Sequence, residues 1–345
     1  MTQVDYIIVG QGLAGSALAM ALLKRGKSLL VIDRNDPDAA TRVAAGLVTT
    51  LAGKGMNPAW RQAVYLPEAL CYYRALEGEA GCQLFYPHPV LRLFSNEKEA
   101  AKFERKKETV AEWVAEEKAE ISQEQVHGSF GGFEMAQGGR LDTRKYLAVV
   151  RAKLERESRF IEANFDENDL VYEERKVIWK DYSAQRVILC QGYAGLKTGA
   201  FSYVPHRSAK GEMLTVKVGQ LDSDRILNRN GWLVPLGNNE WRAGATYEWD
   251  DLRSEQTIEG REAVEKKVRD LTPLAFKTVE HEVGVRPIIH RSQPVIGFHP
   301  ENEALGFFNG LGSKGVITAP SVAEHFAAVL EGEVELDPEL ALSRL

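Results

Sequence analysis

The chain has 345 residues, 44% of them hydrophobic, with 43 Lys and Arg against 49 Asp and Glu and a formal net charge of -6. A single core rarely grows beyond ~250–300 residues, so two domains are expected. The acidic balance lacks the basic footprint of a nucleic-acid binder, although a local basic patch would be compatible with it. Three scattered cysteines, Cys71, Cys82 and Cys190, form no C-x-x-C pair and predict neither zinc nor a disulfide framework. Reduced thiols fit a cytoplasmic protein.

Tyr6–Val9 is a continuous apolar run, the mark of a strand buried on both faces. Leu13–Lys24, rich in Ala and Leu and stopped by Gly26, reads as a helix. Residues 28–32 form a second buried strand closed by Asp33. The apolar stretch 6–23 is broken by glycines and lacks a basic n-region. It therefore reads as strand, turn and helix, not as a signal peptide or a membrane span.

Further along, 67–76 is expected to be helical and 82–94 to carry strand pieces. The charged segment 97–120, with Phe103, Val110, Trp113 and Val114 as a sparse apolar stripe, predicts a solvated amphipathic helix with a break. Asp142 or Thr143 caps a predicted helix through Leu154, and 186–190 reads as a short buried strand. Residues 213–247 alternate short strands with turns at Gly219-Gln220 and Gly237-Asn238-Asn239, which predicts antiparallel sheet. Helices are expected at 256–271 and 320–330, the second following a Gly-rich segment at 309–315.

The chemistry starts at Gly10-x-Gly12-x-x-Gly15. Gly10 permits the tight turn, Gly12 lets a pyrophosphate approach the backbone, and Gly15 lets the helix pack on the strand. The helix start offers free N–H groups and a positive dipole end to phosphates. Asp33 sits where an acid accepts hydrogen bonds from a ribose hydroxyl, which disfavours NADP. The turn predicts a dinucleotide and leaves FAD and NAD both open.

Five segments resemble the D-amino-acid oxidase-like superfamily of FAD enzymes, which includes glycine and sarcosine oxidases. They are 8–15, 41–46 (Thr-Arg-Val-Ala-Ala-Gly), 187–192, the pair Gly284-Val285-Arg286-Pro287 with Pro294-Val295-Ile296-Gly297, and 309–315. Within that superfamily, Gly231-Trp232-Leu233, Gly244-Ala245-Thr246-Tyr247 and Leu311-Gly312-Ser313-Lys314-Gly315-x-x-x-Ala319-Pro320 resemble the oxidase half of bifunctional tRNA wobble-uridine modifying enzymes. The resemblance implies an α/β protein: a Rossmann-like FAD-binding domain of residues 1–82, 138–200 and 284–345, and an α+β substrate domain of 83–137 and 201–283 on a mixed or antiparallel sheet.

It also implies FAD as cofactor. The cofactor would be held by Gly10, Gly12, Leu13, Ala14 and Gly15; by Asp33 and Arg34; by Thr41, Arg42, Ala45 and Gly46; by Cys190 and Gly192; by Arg286; and by Gly310, Gly312, Ser313, Lys314 and Gly315. Some relatives attach flavin through a cysteine after the Arg-Pro pair. Residues 288–297 contain none, so non-covalent FAD is expected.

The implied reaction removes a hydride from a carbon next to an amine nitrogen, with oxygen or another carrier reoxidising the flavin. Arg286 matches the arginine that grips a substrate carboxylate, and Arg42 and Lys314 match basic residues of sarcosine oxidase-like members. Tyr247, with Trp232 and Trp249, is a candidate wall of the amine site, and Trp60 an uncertain one. His281 and His290 read as surface or edge residues, and no spacing resembles a metal site. The expected function is oxidation of a small amine or amino acid, glycine-like or N-substituted. The alternatives are a modified tRNA uridine side chain, a 2-hydroxy acid, and a non-catalytic redox sensor. No counterpart of a methyltransferase precedes the first strand, so tRNA is a weak expectation, and neither a membrane nor a nucleic-acid partner is expected.

Overall fold

The computed structural model describes residues 1–174, 176–221 and 224–345. The apolar runs build a six-stranded sheet in the order Phe160–Glu162, Leu29–Asp33, Tyr6–Val9, Arg186–Leu189, Asn302–Asn309, Val295–His299. The first five strands are parallel and the last pairs antiparallel. Successive strand side chains point to opposite faces, so a strand buried on both sides feeds two cores. Ile8, Val31, Ile188 and Phe308 pack on one face with the helices Leu13–Lys24, Gln62–Ala80 and Gly315–Leu330. Their neighbours Ile7, Val9, Ile32, Val187 and Phe307 pack on the other, against Val177 and Trp179 of a four-stranded sheet.

A second, eight-stranded sheet runs in the order Phe276–Arg286, Ala209–Val218, Glu240–Gly244, Trp232–Gly237, Ile226–Asn228, Val90–Leu93, Gly132–Met135, Val114–Glu116. Its one parallel pair is Ile226–Asn228 with Val90–Leu93. The helix Ile258–Leu271 covers one face, with Val264, Val268 and Leu271 against Leu214, Val216 and Leu233. The hairpin between Trp232–Gly237 and Glu240–Gly244 turns through Asn238 (φ 52°) and Asn239 (φ 60°), the double positive φ of a type I′ turn.

Three expectations differ from the fold. The helix from Glu97 ends at Lys106, a 3-10 turn covers Lys107–Trp113, and Val114–Glu116 becomes an edge strand. Pairing with Gly132–Met135 outweighs the helical stripe there. The last helix starts at Gly315 rather than 320. Pro320 has no N–H to offer the Val316 carbonyl, and the Tyr73 hydroxyl donates to it instead, at 2.8 Å. Finally, the ladder of the eight-stranded sheet continues through Gly284 to Arg286, which pairs with Ala209. Those three residues were expected on the flavin side.

Candidate active site

A cleft of about 1020 Å³ takes its lining from both large sheets. One wall is the Gly-rich turn. Gly10 adopts φ +100°, and a Cβ there would lie 2.5 Å from the Cys190 carbonyl oxygen, so only glycine lets these two strands close on the turn. The helix Leu13–Lys24 has no side-chain cap, and Gly12, Leu13 and Ala14 line the cleft. Leu13 N–H donates to Thr41 Oγ1 at 3.2 Å, which fixes the 41–46 segment beside the helix start. Asp33 accepts from Gln11 N–H at 2.6 Å and Asn35 N–H at 2.7 Å, and Arg151 lies 3.4 Å away. A carboxylate has about four lone-pair sites, so Asp33 retains acceptor capacity toward the cleft that it lines.

Two further cations line the same cleft from other elements. Arg286, at the end of Phe276–Arg286, is set deep but open to the cleft. Its Nη1 donates to Thr246 O at 3.4 Å, and its Cζ lies 4.4 Å from the Tyr247 ring centroid. A Cβ on Gly211, on the neighbouring strand, would lie 2.3 Å from the guanidinium, so the glycine makes its room. Burial pushes the Arg286 guanidinium down from its ordinary value. Lys314, at the start of Gly315–Leu330, donates to Thr49 O at 3.1 Å and Thr49 Oγ1 at 3.0 Å. Burial lowers its ammonium to about 8. Fully buried Arg92 and Arg242 pair with Glu99 and Glu282. Neither Arg286 nor Lys314 has such a partner among the described residues, so the cleft holds uncompensated positive charge.

Of the expected residues, the cleft also brings together Arg34, Thr41, Ala45, Gly46, Cys190, Gly192, Gly312, Ser313, Gly315, Trp232 and Tyr247. Arg34 lines it while paired with Asp36. Burial raises the Cys190 thiol well above its usual range. Arg42 is a correction: its side chain donates to Asn35 Oδ1 and does not line the cleft. On the short helix Ala40–Val43 successive residues differ by about 100°, so Thr41 facing the Gly-rich turn turns Arg42 away. Gly15 and Gly310 also lie outside the lining. Gly310 packs on Ile289, and Asn309 faces the cleft in its place, its Nδ2 donating to Gly192 O at 2.8 Å.

Trp249 lies beside Tyr247 with ring centroids 5.9 Å apart and the rings tilted by 30°, and Trp60 packs edge-on against Tyr65. His281 does lie on an edge strand, but its ring is turned inward, with Nε2 2.7 Å from Glu212 Oε2. The side chain of His290 is outside the described part. Thr49, Gly211, Met213 and Asn309 were not foreseen. An isolated glycine in a strand, as at Lys210-Gly211-Glu212, was the available signal for one of them. No cluster among the described residues has the make-up of a metal site.

The profile of the family described as FAD dependent oxidoreductase (DAO) matches residues 5–329. The chain belongs to this family. It is 25% identical over 387 aligned residues to the tRNA 5-methylaminomethyl-2-thiouridine biosynthesis bifunctional protein MnmC of Burkholderia pseudomallei, covering 98% of this chain and 58% of that protein. The chain thus spans little more than half the length of the curated relatives it matches. Glycine oxidase from Geobacillus kaustophilus superposes with a TM-score of 0.82 at 18% identity, over 100% of both chains. Iminodiacetate oxidase from Chelativorans sp. BNC1 superposes with 0.81 at 19%, over 98% of each.

These neighbours share the fold, and the family makes this chain an FAD-dependent enzyme. The residues fit the cofactor. An uncapped helix start and Asp33 suit a pyrophosphate and a ribose. The start of Gly315–Leu330, likewise without a side-chain cap, gives the cleft a second positive dipole end. No helix among the described residues is long and apolar enough to cross a membrane.

Proposed function

We propose that this enzyme oxidises the carbon–nitrogen bond of a small amine or amino acid, with glycine-like or N-substituted glycine substrates foremost. The observation that carries this reading is the pair of cations, Arg286 and Lys314, set deep in one cleft without a carboxylate partner among the described residues. FAD, when bound, supplies the acceptor for the hydride and passes electrons on to oxygen or another carrier.

The chain's own residues bind and orient. Arg286 offers a planar fork that matches both oxygens of a carboxylate. Tyr247 and Thr246 hold that fork in place from one side. Lys314 places a second positive charge in the same cleft, where it favours any negative charge that develops there. Met213 and Trp232 give the substrate side an apolar wall. An amine bound in its neutral form needs no strong base, and none of the roles above requires one. In this reading residues 1–82, 138–200 and 287–345 hold the cofactor, and 83–137 with 201–286 shape the substrate side.

The test is the absorption spectrum of the purified protein under anaerobic titration with sarcosine, glycine, other N-alkyl glycines and D- and L-amino acids. Bleaching of the flavin by one of these supports the reading and names the class. A flavin bleached by none of them overturns it. The likeness to MnmC favours a second reading, oxidation of a modified tRNA uridine side chain. It predicts tRNA binding that weakens steeply with salt.

A further inference from the structure

The loop between Thr246 and Thr257 forms part of the cleft wall through Tyr247, Leu252, Arg253 and Ser254. It also supplies the two contacts of Arg286, the Thr246 carbonyl and the Tyr247 ring. Apart from a bridge at Glu248 it contains no strand or helix, so its shape depends on how its ends are tied.

Both ends are tied to Glu212. At the first end, Thr246 N–H donates to Glu212 O at 3.2 Å, and Glu212 N–H donates to Thr246 Oγ1 at 2.8 Å. At the second, the Glu212 carboxylate accepts from Thr257 N–H at 2.9 Å and from Thr257 Oγ1 at 2.7 Å. His281 Nε2 lies 2.7 Å from the same carboxylate, and Lys210 Nζ lies 3.7 Å from it. The His281 carbonyl in turn accepts from Gln256 Nε2 at 2.6 Å.

Thr257 caps the helix Ile258–Leu271, so the carboxylate also sits at that helix's positive end. Gly260 leaves the space for it, since a Cβ there would lie 2.2 Å from the carboxylate carbon. Glu212 shares the face of Leu214, whose side chain packs under this helix, so its carboxylate stands on the far side of the sheet from the cleft. A buried acid with this many partners is strongly fixed in place.

We propose that Glu212 is a positioning residue: it holds both ends of the 246–257 loop and so keeps Thr246 and Tyr247 against Arg286. This rests on the reading of Arg286 as the carboxylate-binding group and extends it to the far side of the sheet. Loosening the pin relaxes the loop wall and with it the preorganisation of Arg286. The Gly-rich turn, on the other large sheet, is not touched.

The experiment uses the FAD-loaded protein and methylthioacetate, a carboxylate without an amine, titrated by the change in flavin absorption. Thr257→Val removes one donor to the carboxylate together with the helix cap, Thr257→Ser keeps both, and Glu212→Gln keeps one of the two acceptor oxygens and loses the charge. We expect Thr257→Val and Glu212→Gln to raise the Kd for methylthioacetate about tenfold, the size of one hydrogen bond to a charged group. Thr257→Ser should match the wild type, and FAD retention should stay within about twofold in all three, because a local pin has no contact with the distant cofactor turn. Hydrogen exchange of the amides in 246–257 should quicken in the first two variants alone.

An unchanged Kd in both variants overturns the proposal. So does FAD loss in step with the loss of methylthioacetate, which marks a general structural role. If the wild-type flavin ignores methylthioacetate, the carboxylate reading of Arg286 fails by itself. The pin is then decided by exchange: quickening confined to 246–257 supports it, and unchanged exchange overturns it.

Discussion

Two arginines stand on the same face of the eight-stranded sheet and differ in what answers their charge. Arg242 is fully buried beside the Ala40–Val43 helix, paired with Glu282 and within 3.6 Å of Glu280, and it donates to Val43 O at 2.7 Å and Thr215 Oγ1 at 2.9 Å. Among the described residues Arg286 faces only a carbonyl and an aromatic ring, and it opens on the cleft. A charge whose partners are all protein is part of the framework. One left unanswered at a cleft is set for an anion that arrives from outside. Substitution of each arginine should therefore fail in a different currency.

The largest effect belongs to Arg242. Arg242→Met leaves Glu282 with Arg144 as its remaining cation and strips two donors from buried acceptors. A loss of about 3 kcal/mol is expected, the scale for breaking one side of a buried pair. Urea unfolding of the FAD-loaded protein measures it. Arg286→Met inverts the pattern. No acid loses a partner, so unfolding should shift by less than about 0.5 kcal/mol. The Kd for a carboxylate ligand should rise about 100-fold, as expected for a lost bidentate charge-assisted contact. A variant of Arg286 as destabilised as that of Arg242 would erase the distinction.

Lys314 sharpens the same contrast through pH. Its proton is held less tightly in the folded chain, at about 8, than at its ordinary value of 10.5. Below about 8 both states carry the charge, and folding bears the cost of burying it. As pH rises from about 8 towards 10.5 the folded state releases its proton first, so the unfolded state binds more protons and stability increases. Anion binding runs the other way. Affinity for methylthioacetate should be highest below about 8 and fall several-fold above it, as Lys314 turns neutral. Lys314→Met should flatten both profiles. A binding profile that keeps its slope in this variant would place the titrating group elsewhere.

What the sequence made legible follows the range of the signals. The opening strand, the Gly-rich turn and Asp33 lie within one short βαβ unit, and each is visible from its neighbours. Arg286 and Lys314 were visible through motifs. Their partners were not. Thr49 meets Lys314 across 265 positions of chain, and His281 meets Glu212 across 69, so no local pattern joins them. The segment 97–120 shows the same limit from the other side. Its helical stripe is real, but an edge pairing with Gly132–Met135 decides its end.

Arg42 gives the smallest expected effect and the most direct check on reading charge from sequence alone. It resembles a substrate-binding residue in position, yet its guanidinium donates to Asn35 Oδ1 and does not line the cleft, and its carbonyl accepts from Arg144 Nε at 3.1 Å. Arg42→Ala keeps the backbone and the Thr41 hydroxyl that meets Leu13 N–H. The Kd for methylthioacetate should then move by less than about twofold, the ordinary scale for a surface change away from the site. A rise as large as that of Arg286→Met would mean that Arg42 leaves Asn35 and enters the cleft once an anion is there. The anion site would then be built by three cations, one of them recruited by the ligand, and the contrast between satisfied and waiting charge would hold for the unliganded state only.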